Sequence, residues 1–292
     1  MKILLTGGNG FIGKNILEIL KDKYEILAPR RSELNLLDSR SVFEYIKINR
    51  PELILHTAAT GGNRKSNIQL DILKSNLIIF YNLLAAKEYF NRMIVFGSGA
   101  EYDKSQSLRL VNEKDFGRNI PEDEYGLAKF TMAKLAVGTD FITHLRFFGI
   151  FGKYEDFKTR FISNSICKAL LNLPLTINQN VYFDYLYIND AAKVIDRIIE
   201  NKPKDVFYNV GSGQRVDLLT IARMILEVTN KDLPIKIFKD GLNNEYTCDI
   251  SKLKKEFPEL EFIDLKEAIA KLVEYYKKIL PNFDKKLFLE HL

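Results

Sequence analysis

Tyr125 and Lys129 are four residues apart in a segment with helical periodicity, so their side chains should lie on one helix face. A nearby ammonium group favours the phenolate, and proton transfer by a tyrosine at neutral pH requires a pKa below the ordinary value of about 10. We therefore expect Lys129 to lower the pKa of Tyr125 and the pair to exchange a proton with a substrate oxygen. Taken alone, the same spacing is also typical of a solvent-facing helix pair.

Ser98 follows an apolar run at residues 93–96 that predicts a buried strand. The carboxyl ends of parallel strands are where such sheets bind ligands. A hydroxyl at that position can donate a hydrogen bond to a substrate carbonyl or hydroxyl and polarise it. The alternative is that Ser98 bonds only a backbone group of its own loop.

Gly7, Gly10 and Gly13 lie between an apolar run at residues 3–5 and an amphipathic stretch, so they predict a loop that joins a strand to a helix. Glycines allow a tight turn there and let backbone N–H groups approach a pyrophosphate at the positive end of the helix dipole. The implied ligand is a dinucleotide. Three glycines after a strand can also form an ordinary loop.

Composition excludes several functional classes. The chain has 292 residues, 46% of them hydrophobic, and a formal net charge of +5 without a dense basic block, so nucleic acid is not an expected partner. Cys167 and Cys248 form no paired motif, and the three histidines are scattered, so we expect no metal site and no disulfide framework. The sequence contains no signal peptide pattern and no apolar run long enough to cross a membrane, so we expect a cytoplasmic protein without membrane contact.

Short apolar runs alternate with amphipathic stretches over the first half of the chain, which predicts strands at 3–5, 24–27, 53–56, 93–96 and 142–147. The fold class is α/β, with a Rossmann-type doubly wound parallel sheet and a smaller α/β C-terminal substrate-binding domain. Residues 1–152 should bind the dinucleotide, with 185–210 returning to that domain, while 153–184 and 211–292 form the cap. Later elements are predicted as helices at 157–173, 191–200, 218–228 and 265–279, and as strands within 175–187, 206–210 and 235–238.

Several further motifs occur in a fixed order along the chain. Thr57-Ala58-Ala59 follows a strand, Asn76 lies in the next helix, and three later segments are found at 146–152, 183–190 and 209–213. Together with the glycine loop, Ser98, Tyr125 and Lys129, they resemble the extended short-chain dehydrogenase/reductase family of the NAD-dependent epimerase/dehydratase type. The resemblance is closest to the GDP-fucose synthase and nucleotide-sugar 4-ketoreductase branch, through residues 30–40 and the pair Gly61-Gly62.

The resemblance implies roles for individual residues. The catalytic residues are Ser98, Tyr125 and Lys129. The residues implied for cofactor binding are Gly7, Gly10, Phe11, Ile12, Gly13, Arg30, Arg31, Asn35, Leu36, Thr57, Ala58, Ala59, Asn76, Tyr125 and Lys129. The residues implied for substrate binding are Ser98, Glu101, Arg160 and Arg215. Members of the family often form homodimers through the helix that bears the catalytic tyrosine and the helix before it.

Arg30 and Arg31 follow the second predicted strand and bear on the choice of cofactor. An acidic residue there would accept hydrogen bonds from the ribose hydroxyls of NAD, whereas arginines suit the 2′-phosphate of NADP. We therefore favour NADP over NAD. NAD stays possible if both arginines are ordinary surface residues.

Three departures from the family pattern narrow the reaction. Dehydratases of the family have Asp-Glu after the catalytic hydroxyl residue, where this chain has Gly99-Ala100, and the epimerising cysteine of GDP-fucose synthases is replaced by Ala100. No histidine occurs between His144 and His291 to serve as the partner of that cysteine. The arginine that often binds the sugar nucleotide's diphosphate is replaced by Phe183, so Arg160, Lys158 or Arg215 would have to substitute.

The reaction favoured by these features is NADPH-dependent reduction of a 4-keto sugar linked to a nucleoside diphosphate, in the biosynthesis of cell-surface polysaccharide sugars. A nucleotide-sugar 4-epimerase, which oxidises and reduces the same carbon in turn, is the alternative. A dinucleotide-binding regulator without activity is a further alternative, because a fold does not fix a function. The presence of all three catalytic residues argues against the regulator.

Overall fold

The computed structural model describes residues 1–61, 71–283 and 285–288, and the predictions for Gly62 and His291 lie outside that part of the chain. The strands are β1 (Lys2–Thr6), β2 (Glu25–Leu27), β3 (Leu53–His56), β4 (Arg92–Ser98), β5 (Leu108–Val111), β6 (Ile142–Phe147), β7 (Ile150–Phe151), β8 (Leu175–Asn180), β9 (Tyr182–Phe183), β10 (Leu186–Tyr187), β11 (Phe207–Val210), β12 (Val216–Asp217), β13 (Ile235–Leu242) and β14 (Tyr246–Cys248). The helices are α1 (Phe11–Leu20), α2 (Ser39–Asn49), α3 (Ile72–Ala85), α4 (Glu124–Ala136), α5 (Phe161–Leu170), α6 (Ile188–Glu200), α7 (Leu218–Thr229), α8 (Ser251–Glu256) and α9 (Leu265–Ile279).

Six strands form one parallel sheet in the order β11-β6-β4-β3-β1-β2. The chain moves from β1 outward to β2 and then returns to β3 on the other side of β1. This reversal creates a crevice at the carboxyl ends of β1 and β3, which is the position where doubly wound sheets bind ligands. The predicted fold class is confirmed.

Apolar side chains cover both faces of this sheet. Alternate residues of β1 point to opposite faces, so Ile3 and Leu5 pack with α1 and α6, while Leu4 packs with α2, α3 and α4. Because both faces are buried, a shift of one residue in register would expose the wrong side chains, which fixes where each strand ends.

The cap is built around a four-stranded sheet in the order β12-β9-β14-β5 and a separate parallel pair, β8 and β13. Helices α5, α7 and α9 pack against one another beside them. Strand β5 lies before the predicted boundary at residue 152 and pairs with β14, which lies after it. Strand β7 pairs with β10, and both strands lie in segments predicted to belong to the dinucleotide-binding domain.

The final helix, α9, has the bounds that its periodicity predicts, but α5 is shorter than the predicted helix at 157–173. The Asp156 side chain accepts hydrogen bonds from the Lys158 backbone N–H and the Thr159 hydroxyl, which holds residues 156–159 in a turn. At the other end, Asn172 adopts a left-handed φ of 56° and terminates the helix. The predicted strand at 235–238 is also longer than expected and continues to Leu242.

Nowhere in the described ranges does the chain form a helix with the length and apolar character needed to cross a bilayer.

Glu155 is a buried carboxyl group beneath the start of α5. It accepts a hydrogen bond from the Ser163 hydroxyl, and its side chain is almost completely removed from solvent. Burial raises the pKa of Glu155 to about 8, against the opposing effects of Ser163 and Arg160. Glu155 is therefore protonated in the native protein at neutral pH.

We expect Glu155→Gln to stabilise the protein increasingly as pH rises. The native pKa lies above the unfolded value, so folding stability from this group is fully present below about pH 4.5 and is lost as pH rises towards 8, by up to about 1.4 kcal/mol per pH unit. Glutamine cannot ionise and removes that loss. Urea unfolding between about pH 5 and pH 8 should show a difference between variant and wild type that grows with pH. Glu44→Gln, at an exposed carboxyl, is the control, and a difference independent of pH would contradict this account.

Candidate active site

The glycine loop between β1 and α1 forms an open cradle for an anion. Gly7 has a φ of 75°, and a Cβ atom there would lie 2.7 Å from the Ala58 backbone nitrogen. A Cβ at Gly13 would lie 2.2 Å from the Gly7 carbonyl oxygen, so only glycine allows this close approach. Gly10 caps α1 without a side chain, and the first turn of α1 has no acidic residue. The helix N-terminus is therefore free to bind a phosphate group.

A cavity of about 270 Å³ opens beside this cradle at the carboxyl ends of β1 and β3. Seven residues predicted to bind the cofactor line it: Gly7, Gly10, Arg31, Asn35, Leu36, Ala58 and Ala59. Arg30 is exposed but is not among the described lining residues. The lining residues that sequence reasoning missed are Thr6, Gly8, Asn9, Pro29, Leu34, Leu37, Thr60, Ser75 and Ile79. A polar cradle with an apolar wall fits the pyrophosphate and adenosine of a dinucleotide.

Two residues predicted to bind the cofactor, Asn76 and Thr57, hydrogen-bond to backbone groups of the cavity wall. Asn76 is buried on α3, where its Nδ2 donates to the Thr60 and Ile72 carbonyl oxygens and its Oδ1 accepts from the Thr60 N–H. The Thr57 hydroxyl donates to the Thr6 carbonyl oxygen at 2.7 Å. We therefore revise the role of Asn76 from cofactor ligand to support of the loop at 57–60.

The structure brings Ser98, Tyr125 and Lys129 together at the end of β4. The Ser98 Oγ accepts a hydrogen bond from the Ala100 N–H at 3.2 Å, and Ser98 lies close enough to Tyr125 to act on the pKa of its phenol. Lys129 is buried one helical turn further along α4, where its Nζ donates to the Phe96 carbonyl oxygen at 2.6 Å and lies 5.9 Å from the Tyr125 ring centroid. A hydroxyl, a phenol and an ammonium group thus converge beside the dinucleotide cavity.

The pKa of Tyr125 differs from the sequence-based expectation. Burial raises the pKa of the phenol, and the opposing effects of Ser98 and Arg160 do not reverse the shift. Lys129, whose ammonium group donates to the Phe96 carbonyl oxygen, does not bring the pKa of Tyr125 below its ordinary value as expected. Burial also lowers the pKa of Lys129 to about 8. Near neutral pH Tyr125 is therefore a protonated phenol and Lys129 remains mainly charged.

Glu101 was predicted to contact the substrate, but it lies beneath the site. Its side chain is fully buried, and both carboxylate oxygens accept hydrogen bonds from protein groups. The prediction for Glu101 is therefore corrected from a substrate ligand to a support of the strand end.

The two arginines predicted to bind substrate lie in different places. Arg160 is exposed at the start of α5, close enough to Tyr125 for its charge to lower the pKa of the phenol. Arg215 instead forms a bidentate ion pair with Glu245, at 2.7 and 2.9 Å, and stacks on the Tyr182 ring. Side chains alternate along strands, so Tyr182 and Glu245 face away from their neighbours Phe183 and Tyr246. The structure does not place Arg215 with the other predicted site residues.

The cap contributes an aromatic wall to the site that sequence reasoning missed. The Tyr246 hydroxyl lies 3.5 Å from the Ser98 Oγ, and the Tyr246 ring packs against Phe148 and Phe183 at centroid distances of 4.8 and 5.2 Å. Asp184 secures this wall by accepting hydrogen bonds from residues 212 and 213. The long-range pairing of β14 with β9 and with β5 brings Tyr246 to Ser98, so no local sequence signal could have indicated it.

Within the described residues, His, Cys, Asp and Glu side chains do not gather in groups of three or more that could hold a metal ion.

Comparison with known proteins identifies the family. Residues 3–211 match the NAD dependent epimerase/dehydratase family, and the chain belongs to it. The resemblance inferred from the motifs is thereby confirmed.

The proteins that the chain is similar to include enzymes named for nucleotide-linked sugars. The chain is 26% identical to GDP-L-colitose synthase from Yersinia pseudotuberculosis, over 94% of this chain and 98% of that protein. Its fold is similar to that of GDP-mannoheptose C4 reductase from Campylobacter jejuni with NADP bound, with a TM-score of 0.81, 20% identity and coverage of 94% and 98% of the two chains. It is equally similar to UDP-glucose 4-epimerase from Thermus thermophilus in complex with NAD, with a TM-score of 0.81, 21% identity and coverage of 95% and 99%.

Proposed function

We propose that the protein is an NADPH-dependent reductase of a 4-keto sugar linked to a nucleoside diphosphate. The observation that carries this proposal is the protonated phenol of Tyr125, which lies near Ser98 and Lys129 at the carboxyl edge of the sheet, where the cavity also opens. Reduction of a ketone requires a proton donor at the carbonyl oxygen, and a phenol that is protonated at neutral pH can serve as one when a neighbouring positive charge stabilises the phenolate that it leaves. Similarity to a GDP-L-colitose synthase and to the fold of a C4 reductase supports the same substrate class.

Each catalytic side chain has a distinct task in this reaction. A bound nicotinamide supplies the hydride. Ser98 donates a hydrogen bond to the keto oxygen and polarises the carbonyl group, while Tyr125 delivers the proton to that oxygen as negative charge develops there. Lys129 holds the nicotinamide ribose and, once its ammonium group is shared with the ribose, stabilises the phenolate that remains.

The cofactor proposal rests on Arg31, whose exposed side chain lines the adenosine end of the cavity. A guanidinium group there pairs with the 2′-phosphate of NADP, and NAD offers it only a hydroxyl. Thr6, Gly8 and Asn9 complete the cradle, and Leu34, Leu36 and Ile79 supply the apolar wall for the adenine.

Arg160 is a candidate for binding the sugar nucleotide's diphosphate, because it is close enough to Tyr125 for its charge to lower the pKa of the phenol. The rings of Phe183 and Tyr246 would pack against the sugar on the cap side. We also propose a homodimer through α3 and α4, where Tyr81 is 50% exposed on the outer side of α3.

A 4-epimerase is the second candidate. The fold similarity to a UDP-glucose 4-epimerase equals that to the C4 reductase, and the same three catalytic side chains could serve either reaction. An epimerase must also accept a proton during its oxidative half-reaction, and the raised pKa of Tyr125 disfavours that step.

The first prediction concerns the cofactor. NADPH should bind at least tenfold more tightly than NADH, a difference of about 1.4 kcal/mol that one charge-assisted phosphate contact can supply. Arg31→Ala should remove most of this preference, while the neighbouring Arg30→Ala should retain it, because only Arg31 lines the described cavity. Fluorescence titration measures both affinities, and equal binding of the two cofactors by the wild type would exclude the NADP assignment.

The second prediction separates reductase from epimerase by stoichiometry. With a panel of GDP-, dTDP- and UDP-linked 4-keto sugars, one NADPH should be consumed for each product formed, measured by absorbance at the nicotinamide band. UDP-glucose, GDP-mannose and dTDP-glucose serve as controls without a keto group and should leave NADPH unchanged. Formation of a 4-epimer from one of these controls, with no net consumption of cofactor, would favour the epimerase instead.

The third prediction tests the proton donor. Tyr125→Phe removes only the hydroxyl group, so NADPH binding should survive while turnover on the keto sugar identified above falls by about 10²–10⁴-fold. Tyr246→Phe removes the other phenol beside Ser98 and should reduce turnover far less. If instead Tyr125→Phe retains more than about a third of the wild-type kcat with chemistry rate-limiting, Tyr125 is not the acid.

A further inference from the structure

Glu101 is a buried carboxylate under the catalytic end of β4 that the proposed mechanism does not use. Its Oε1 accepts hydrogen bonds from the Ser98 backbone N–H at 2.9 Å and from His144 Nε2 at 2.8 Å, and its Oε2 accepts from Arg146 Nε at 2.6 Å. The exposed fraction of all three side chains, Glu101, His144 and Arg146, is at most 1%. Although burial raises the pKa of Glu101, His144 and Arg146 hold it below its ordinary value, so the group is a carboxylate anion.

Arg146 is held in an aromatic enclosure beside this carboxylate. Its guanidinium carbon lies 4.1 Å from the Phe116 ring centroid, 4.7 Å from that of Phe207 and 5.3 Å from that of Tyr102. Removing an ion pair from water costs several kcal/mol per ion before the attraction between the partners offsets it. A neutral hydrogen-bond acceptor would be enough to bind the Ser98 backbone N–H. The fully buried negative charge of Glu101 therefore indicates a further role for this side chain.

Lys129 and Glu101 bond neighbouring backbone groups of the same strand, β4. The Lys129 Nζ donates to the carbonyl oxygen of Phe96, and Glu101 accepts from the N–H of Ser98, so the two charges flank Gly97. A Cβ atom at Gly97 would lie 2.4 Å from Glu101 Oε1 and 2.3 Å from His144 Nε2, which shows how closely the carboxylate covers the strand.

The groups that face Lys129 leave Glu101 as its principal source of negative charge. Burial lowers the pKa of His56 to about 3 and also lowers the pKa of His144, so both imidazoles are neutral at neutral pH. The Tyr125 phenol is protonated, because burial raises its pKa. The titratable and charged side chains that face Glu101 are His144, Arg146, Tyr102, Tyr125 and Tyr246. Burial lowers the pKa of Lys129 to about 8, and Glu101 is the charged group that opposes this effect.

We propose that Glu101 is a positioning residue whose buried negative charge keeps Lys129 protonated in the dry interior of the site. This inference rests on the proposed function for its catalytic meaning, since a neutral Lys129 could neither bind the ribose strongly nor stabilise a phenolate. The charge relationship itself exists in the protein without cofactor or substrate. It can therefore be tested separately from the reaction.

The experiment is an NMR titration of Lys129 in the apoprotein. The protein is labelled with ¹³C at the lysine ε carbons, and Lys129→Met identifies the signal of Lys129. In the wild type the signal should titrate with a midpoint of about 8. Glu101→Gln keeps an acceptor for the Ser98 N–H but removes the charge, so the midpoint should fall by about one pH unit.

Glu113→Gln is the matched control. Glu113 is a nearby carboxylate that accepts a hydrogen bond from the Asn209 N–H at 2.7 Å but does not act on Lys129, so the Lys129 midpoint should stay at its wild-type value. A Lys129 midpoint unchanged in folded Glu101→Gln would overturn the proposal, because a purely structural Glu101 would not move it.

A second variant covers the case in which Glu101→Gln does not fold because Arg146 is left as an unpaired buried charge. The double variant Glu101→Gln/Arg146→Met removes both partners of the ion pair. Since Arg146 is not among the groups that shift the pKa of Lys129, the double variant should lower the midpoint as the single one does. A wild-type midpoint in the double variant would likewise overturn the proposal, whatever the substrate proves to be.

Discussion

The carboxyl edge of the parallel sheet is the constraint on which the site depends. Strands β1, β3 and β4 end next to one another, and their registers pair Thr6 with His56 and His56 with Val95. The glycine cradle, the loop at 57–60 and Ser98 each begin where one of these strands ends. Because the strands are buried on both faces, their ends cannot shift without exposing core residues. The glycine cradle, the loop at 57–60 and Ser98 are therefore held in fixed positions relative to one another.

Directly below this edge the protein buries several ionisable groups. The interior contains Glu101, Arg146, Lys129 and two neutral histidines within the reach of one another's charges. Such clusters are costly, and they occur where a protein must control protonation rather than only pack side chains. The raised pKa of Tyr125 belongs to the same environment, since the burial that keeps the phenol protonated also makes each nearby charge more effective.

The sequence predicts most of the sheet because its strands and helices are strongly periodic and their signals are local. The bounds of α9 and the position of Ser98 at a strand end follow from such signals. The family resemblance assigns Glu101 and Asn76 to ligands, because a motif match along the chain cannot distinguish a polar group that faces a cavity from one beneath it. The phenol pKa was expected to follow its nearest cation, but the degree of burial is a tertiary property and outweighs it.

Long-range contacts account for the rest of what the sequence did not predict. The ion-pair partner of Arg215, Glu245, is 30 residues away along the chain and faces away from its neighbour Tyr246. Tyr246 reaches Ser98 across 148 residues of chain. Neither arrangement has a local pattern that a periodicity or motif argument could detect.

Strand β5 can pair with its neighbour only late in the synthesis of the chain. It lies in the first half of the sequence, but its partner β14 emerges far later, and the Glu245 N–H hydrogen-bonds to Ser107 over a separation of 138 residues. The ribosome adds about 5–20 residues per second, so β5 is synthesised many seconds before β14, and its backbone groups have no partner strand during that time. The nascent polypeptide can assemble much of the dinucleotide half early, but the wall facing Ser98 closes only after residue 248 has left the ribosome.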